Sequence, residues 1–80
     1  FLYPVKIDIV VIDRNHLLAD LIDCITNKLK LSLTRITTES RDAIGYCSME
    51  FPVHSSAELQ EVIDSISRID GVEEVKQSVE

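Results

Sequence analysis

Four consecutive residues, Asp13, Arg14, Asn15 and His16, gather a carboxylate, a guanidinium, an amide and an imidazole where a β-branched run gives way to a helical pattern, "VVIDRNHLLADLIDCI". Several kinds of chemistry use such groups at such a point. Short polar side chains accept hydrogen bonds from the first N–H groups of a helix, so Asp13 or Asn15 can cap it. Left uncapped, the same N–H groups and the helix dipole attract an anion. An imidazole changes charge near neutral pH, which makes His16 a candidate pH-sensitive contact. Arg14 is expected to point to solvent or to a partner. With Leu17 at their edge, these residues form the candidate ligand-binding set: Asp13, Arg14, Asn15, His16 and Leu17.

Other reactive side chains carry weaker signals. The two cysteines, Cys24 and Cys47, form no CxxC and have no histidine at ligand spacing, so neither a zinc site nor a disulfide framework is indicated. Both are read as buried thiols in a reducing compartment. His54 precedes a helix cap and nothing marks it as a ligand or a base. No catalytic group, metal site or cofactor is expected.

The elements that must position these residues follow from periodicity. Val5, Ile7, Ile9 and Val11 alternate with Lys6, Asp8, Val10 and Ile12, the pattern of a central strand. From Leu17 the period becomes helical, with Leu18, Leu21, Ile22, Ile25 and Leu29 on one stripe, Leu17 at its edge, and an end near Lys30. "SLTRITTES", Ser32 to Ser40, is rich in β-formers, and the polar Ser40 to Asp42 turns the chain back. Ala43 to Val53 alternates again, with Cys47, Met49, Phe51 and Val53 on one face. Pro52 suggests that pairing stops there. Ser55 and Glu58 have the spacing of a capping box, in which the glutamate returns to the serine N–H. A second helix follows, with Leu59, Val62, Ile63, Ile66 and Ile69 on its apolar side and Gly71 placed to end it. Val72 to Val79 is the last strand.

The order βαββαβ predicts an α+β ferredoxin-like sandwich: a four-stranded antiparallel sheet with both helices on one face. Its 80 residues suffice for one core but not for two lobes with a catalytic cleft between them. No apolar run approaches the roughly 20 residues that span a bilayer. The opening at Phe1, with neither a methionine nor a signal-peptide pattern, leads us to expect residues 1–80 to be a single domain cut from a longer chain.

This plan serves enzymes, metal carriers, RNA binders and sensors alike, so the residues must discriminate. Fourteen acidic against eight basic residues give a net charge of −6, which opposes nonspecific binding to nucleic acid or anionic lipid. The open sheet face offers Tyr46 as its aromatic group on the first and third strands, too little for a base-stacking platform. A metal carrier would need two thiols in the first loop, and an acylphosphatase a glycine-rich loop around its arginine. Asp13 to His16 supplies neither.

"IDRNHLLADLI" resembles the Asp-Arg-x-Gly-Leu-Leu-x-Asp-Ile signature that opens the ACT domain at the carboxyl end of RelA/SpoT-type guanosine tetraphosphate synthetase/hydrolases. "LQEVIDSISRIDGVEEVKQSV" is similar to that domain's last helix and strand, with the Ile-x-Gly-Val-x-x-Val pattern between them. The two halves together cover nearly the whole chain. His16 departs from the family, standing where the pattern has glycine. A side chain there would crowd a ligand approaching the strand-to-helix turn, where ACT domains that take amino acids bind them.

The resemblance implies a cytoplasmic, non-catalytic regulatory domain of a GTP pyrophosphokinase or ppGpp hydrolase in the stringent response. It leaves two modes of action. In one, an amino-acid effector binds at Asp13 to Leu17, either in a RelA/SpoT enzyme or in another metabolic enzyme. In the other, the domain docks without a small ligand on a second copy, on other domains of the parent enzyme or on the ribosome. "LSLTRITT" would lie at a sheet edge, and edge pairing of two ACT domains would build a homodimer. Lys28, Lys30, Leu33 and Arg35 are the interface candidates, and Lys28, Lys30 and Arg35 form a basic cluster with Arg41. Glu58, Glu61 and Asp64 make one side of the second helix acidic.

Overall fold

The computed structural model describes residues 1–12 and 17–78. Strand β1 (Tyr3–Ile12) leads to helix α1 (Leu17–Asp23), which continues as a π-helical stretch, Cys24–Lys28. Strands β2 (Arg35–Arg41) and β3 (Ile44–Val53) form a hairpin. Helix α2 (Ser56–Ser67) and strand β4 (Val72–Gln77) complete the described chain. The sheet order is β2-β3-β1-β4 and every neighbouring pair is antiparallel. This is the expected ferredoxin-like βαββαβ plan.

Alternation builds the core. Val5, Ile7, Ile9 and Val11 of β1 are buried beside Cys47, Met49, Phe51 and Val53 of β3, and Leu59, Val62 and Ile66 of α2 close over them. Pro52 does not end the pairing with β1, which continues to Val53 with Pro52 opposite Pro4, whereas the pairing with β2 stops short of Pro52, at Glu50. Two residues without N–H groups can face each other only as a non-hydrogen-bonded pair, so both ring nitrogens point away from the shared ladder.

The first helix departs most from expectation. Leu17 is buried, 3% exposed, whereas Leu18 is 45% exposed. The buried series Leu17, Leu21, Cys24 and Ile25 keeps helical spacing from Leu17. Counting back from Leu29 selects Leu18 instead, because the π-helical stretch inserts a residue between them: Leu29 N–H donates to Cys24 O at 3.0 Å and Leu31 N–H to Ile25 O at 2.9 Å. Lys30, with φ 59°, reverses the chain at the expected place.

The hairpin turn is Asp42–Ala43, one residue later than the polar run suggested. Both have positive φ, 51° and 66°, as a two-residue type I′ turn requires. Alanine does not advertise a left-handed backbone, which is why it read as strand. Strand β2 likewise begins at Arg35 rather than Ser32, with residues 30–34 covering the way from the helix.

At α2, Ser55 accepts the Glu58 N–H at 3.1 Å, as the capping box predicts. The return bond differs: Glu58 Oε1 accepts from His54 N–H at 2.9 Å, not from Ser55. That bond, and after it the His54 ring 3.3 Å away, hold the Glu58 carboxyl below its ordinary 4.5. Gly71 takes φ 99° on the way into β4. A bulge follows, with Val10 opposite Glu74 and Val11 opposite Val72, so Glu73 is unmatched. The expected end of β4 at Val79 lies outside the described residues.

Two stability measurements test these corrections by urea denaturation. Leu17→Ala should cost about 2–4 kcal/mol and Leu18→Ala under about 1 kcal/mol, the reverse of a stripe centred on Leu18. Ala43→Gly should raise stability by about 1 kcal/mol by removing the left-handed strain at the turn.

Candidate functional site

Beside the first turn of α1, the sheet leaves a groove of about 230 Å³. Its floor is apolar: Val11, Leu17, Leu21 and Cys47, all buried. Thr38 and Ser40 of β2 supply hydroxyls on one side, with Glu39 between them along the strand, and Leu18 flanks the other. Such a space is below the roughly 300 Å³ of ordinary ligand pockets and suits a side chain or a small metabolite.

Gly45 keeps this corner closed-packed. A Cβ there would stand 2.6 Å from Val11 Cγ2, so the Val11 side chain would have to give way to any side chain at this position. Glycine inside a strand marks the close approach of a neighbour, here the Val11 side chain, and that signal could have pointed to the groove from sequence. Thr38, Ser40 and Cys47 carried no comparable mark.

Of the candidate ligand residues, Asp13, Arg14, Asn15 and His16 lie outside the described residues, and Leu17 is part of the groove floor. The four interface candidates are divided. Arg35 sits on β2 with its guanidinium 3.9 Å from Glu50, and Leu33 packs partly against the core. Lys28 instead lines a separate groove between the helices, with Asp20, Asp23, Arg68 and Asp70. Lys30 is exposed at the reversal after the π-helical stretch.

Strand β2 forms one sheet edge, as expected. The two-residue turn makes Arg41 and Ile44 a hydrogen-bonded pair. Alternation then aims the backbone N–H and C=O groups of Ile36, Thr38 and Ser40 away from β3. On the open face, the Arg41 guanidinium lies 4.7 Å above the Tyr46 ring and 3.4 Å from Glu39 Oε1. Ser48 Oγ donates to Asp8 Oδ1 at 2.8 Å. Among the described residues no group of three or more His, Cys, Asp or Glu could hold a metal ion, and no helix is long and apolar enough to cross a membrane.

A family model described as the ACT domain matches residues 2–76. The chain belongs to the ACT domain family. Its structure matches the crystal structure of the ACT domain from GTP pyrophosphokinase of Chlorobium tepidum with a TM-score of 0.87 and 20% identity, covering 98% of this chain and 100% of that one. The solution NMR structure of that domain matches equally, at TM-score 0.87 and 20% identity over 99% of this chain and 89% of that one. An uncharacterized protein from Thermotoga maritima follows at 0.75 and 14%, over 98% and 96%. No curated protein sequence matches the chain.

In this ACT domain the groove floor holds a protected thiol. Burial pushes the Cys47 thiol up to about 11 from an ordinary 9.0, and burial likewise raises Cys24, partly offset by Lys28. Neither is a ready nucleophile at neutral pH. Between about pH 9 and pH 11 the unfolded chain ionises Cys47 while the folded domain keeps its proton, so folding loses stability as pH rises through that window. Thermal melts of the ACT domain across pH 9–11 should therefore fall more steeply than those of Cys47→Ala, and parallel slopes would show the thiol to be uninvolved.

Proposed function

We propose that this ACT domain is a non-catalytic regulatory module of a cytoplasmic bifunctional (p)ppGpp synthetase/hydrolase in the stringent response, acting by docking. The observation that carries this reading is the end-to-end agreement with the ACT domain of a GTP pyrophosphokinase, joined to the "IDRNHLLADLI" signature at the strand-to-helix handover. The free β2 edge supplies a docking surface, because its outward N–H and C=O groups are satisfied equally well by water or by another strand. The contacts through which it acts are with a second ACT domain, with other domains of the parent enzyme, or with the ribosome, where Lys and Arg would meet phosphate rather than stacked bases. A regulator of this kind shifts the parent between synthesis and hydrolysis only by favouring one state over the other.

A second reading is supported by the groove. Its apolar floor and the hydroxyls of Thr38 and Ser40 suit a small amino acid, held beside Leu17, the described member of the Asp13 to Leu17 set. His16, in place of the signature's glycine, weighs against it.

A domain exchange tests the proposal. Placed in Chlorobium tepidum GTP pyrophosphokinase in place of its own ACT domain, this chain should preserve a regulated ratio of synthesis to hydrolysis. A chimera whose ratio no longer responds would overturn the regulatory reading. Amide NMR titration of the chain with branched-chain amino acids then separates the two modes. Docking alone leaves Val11, Leu17, Thr38, Gly45 and Cys47 unshifted at millimolar ligand, whereas saturable shifts centred on them favour the sensor.

A further inference from the structure

Between α2 and β4 the chain carries its one Asp-Gly pair, Asp70–Gly71, and every other aspartate is followed by a larger residue. Such a pair has chemistry of its own. The Gly71 amide nitrogen can attack the Asp70 side-chain carboxyl carbon, closing a succinimide ring and releasing the carboxyl hydroxyl and the amide hydrogen as water. A second water then reopens the ring. Opening at the newly formed Cγ–N bond restores aspartate. Opening at the main-chain carbonyl leaves isoaspartate, with the backbone routed through Cβ and the former main-chain carbonyl carbon as a free carboxylate. The overall change is an isomerisation, so no oxidant, reductant or second substrate is consumed. Glycine favours it because the attacking residue has no Cβ to hinder the approach.

The fold holds this exposed pair in a geometry that does not react. Val72 N–H donates to Ile69 O at 3.1 Å, closing a turn with Asp70 and Gly71 at its centre. Gly71 has φ 99° while Asp70 keeps a negative φ, the combination of a type II turn. There the residue in the Asp70 position has ψ of about +120°, which swings the Gly71 nitrogen away from Asp70 Cβ. Ring closure needs that nitrogen to eclipse Cβ, about a third of a rotation away around the Cα–C bond. A flip of the single peptide, keeping the turn closed, gives the type I arrangement with ψ of about −30°, still about a quarter-turn short. A second bond restrains the same residue: Ile12 N–H donates to Gly71 O at 2.8 Å and ties the turn to the end of β1.

We propose that Asp70 is a site of isoaspartate formation which the native turn keeps shut, and which reacts when the start of β4 leaves β1. The place is suited to such opening. Strand β4 is short, lies at a sheet edge, pairs with β1 only from Ile7 to Val11, and is interrupted by the bulge at Glu73. Short edge elements open at lower free energy than the core. Once formed, isoaspartate seals the change. It adds one backbone carbon between Ile69 and Val72, so the turn and the Ile12 bond no longer fit together. Val72 and Val75, half-buried against the core, are drawn away with the strand. A transient opening is thereby written into the covalent chain, as a group that an isoaspartyl carboxyl methyltransferase can esterify.

Incubation of the chain in warm, mildly acidic buffer, with and without denaturing urea, tests this by peptide mapping with enzymatic methyl labelling of isoaspartate. In urea the modification should accumulate at Asp70 ahead of every other aspartate, and Asp70→Glu should abolish it there. In native buffer the rate should fall at least roughly tenfold, because only the open fraction of molecules reacts. That ratio should match the protection of the Val72 amide against hydrogen exchange to within about threefold, since the same opening releases both. Ile12→Pro removes the donor to Gly71 O, an N–H that β3 does not use, and should speed the native reaction severalfold without changing the rate in urea. Absence of isoaspartate at Asp70 in urea would overturn the site. Equal rates in urea and native buffer would overturn the gate. A rate ratio unrelated to Val72 protection, or a folded Ile12→Pro chain reacting at the original rate, would overturn the release of β4 as the opening step.

Discussion

The structure depends on β1 being hydrogen-bonded along both sides. β3 pairs with β1 from Tyr3 to Ile12 and β4 from Ile7 to Val11, so β1 is a central strand, and one of its faces must be apolar to meet the helices. Val5, Ile7, Ile9 and Val11 satisfy that demand and form the floor on which α1 and α2 rest. The remaining features are placed relative to this strand. The close approach of Gly45 to Val11 brings β3 tight against its end, and the start of α1 sits beside the same corner.

The two faces of the sheet then diverge in character. The covered face is filled by aliphatic side chains, Phe51, Met49 and two thiols, and burial keeps those thiols protonated. The open face carries paired charges and hydroxyls, including the Asp8–Ser48 and Arg41–Tyr46 contacts, with Ile12 and Tyr46 exposed at one end. Hydrogen-bonding capacity is left over at the rim of the sheet rather than on either face. A domain so arranged interacts by lending its backbone, and its side chains decide which neighbour fits.

Most of the strand plan was legible because alternation is a strong signal where one face is buried and the other wet. Val5 to Val11 and Cys47 to Val53 could be assigned to the core from spacing alone. The capping serine was equally plain, whereas its glutamate turned to His54, a choice of neighbour that spacing does not encode. Leu17 and Leu18 were exchanged because two adjacent leucines fit either phase of a helix, and the phase depends on winding that periodicity assumes to be uniform. Ala43 hid the turn because its positive φ is imposed by the hairpin and not by its own preference. The groove was legible at most through Gly45, since it is assembled from four separate elements and its polar side chains are ordinary strand residues.

The π-helical stretch at Cys24–Lys28 has a further bearing on how chains of this shape can vary. It accommodates one residue more than an α-helix would between the same two ends. Loss of a single residue from it could be absorbed by rewinding, with Leu17 and Leu21 before it and Ile36 after it left where they are. Chains one residue shorter in this region can thus share the same core, and an alignment that scores the gap as a loop deletion would misplace the residues between the stretch and the loop. The helix holds a reserve of length, and that reserve separates the evolution of its far end from the packing of its near end.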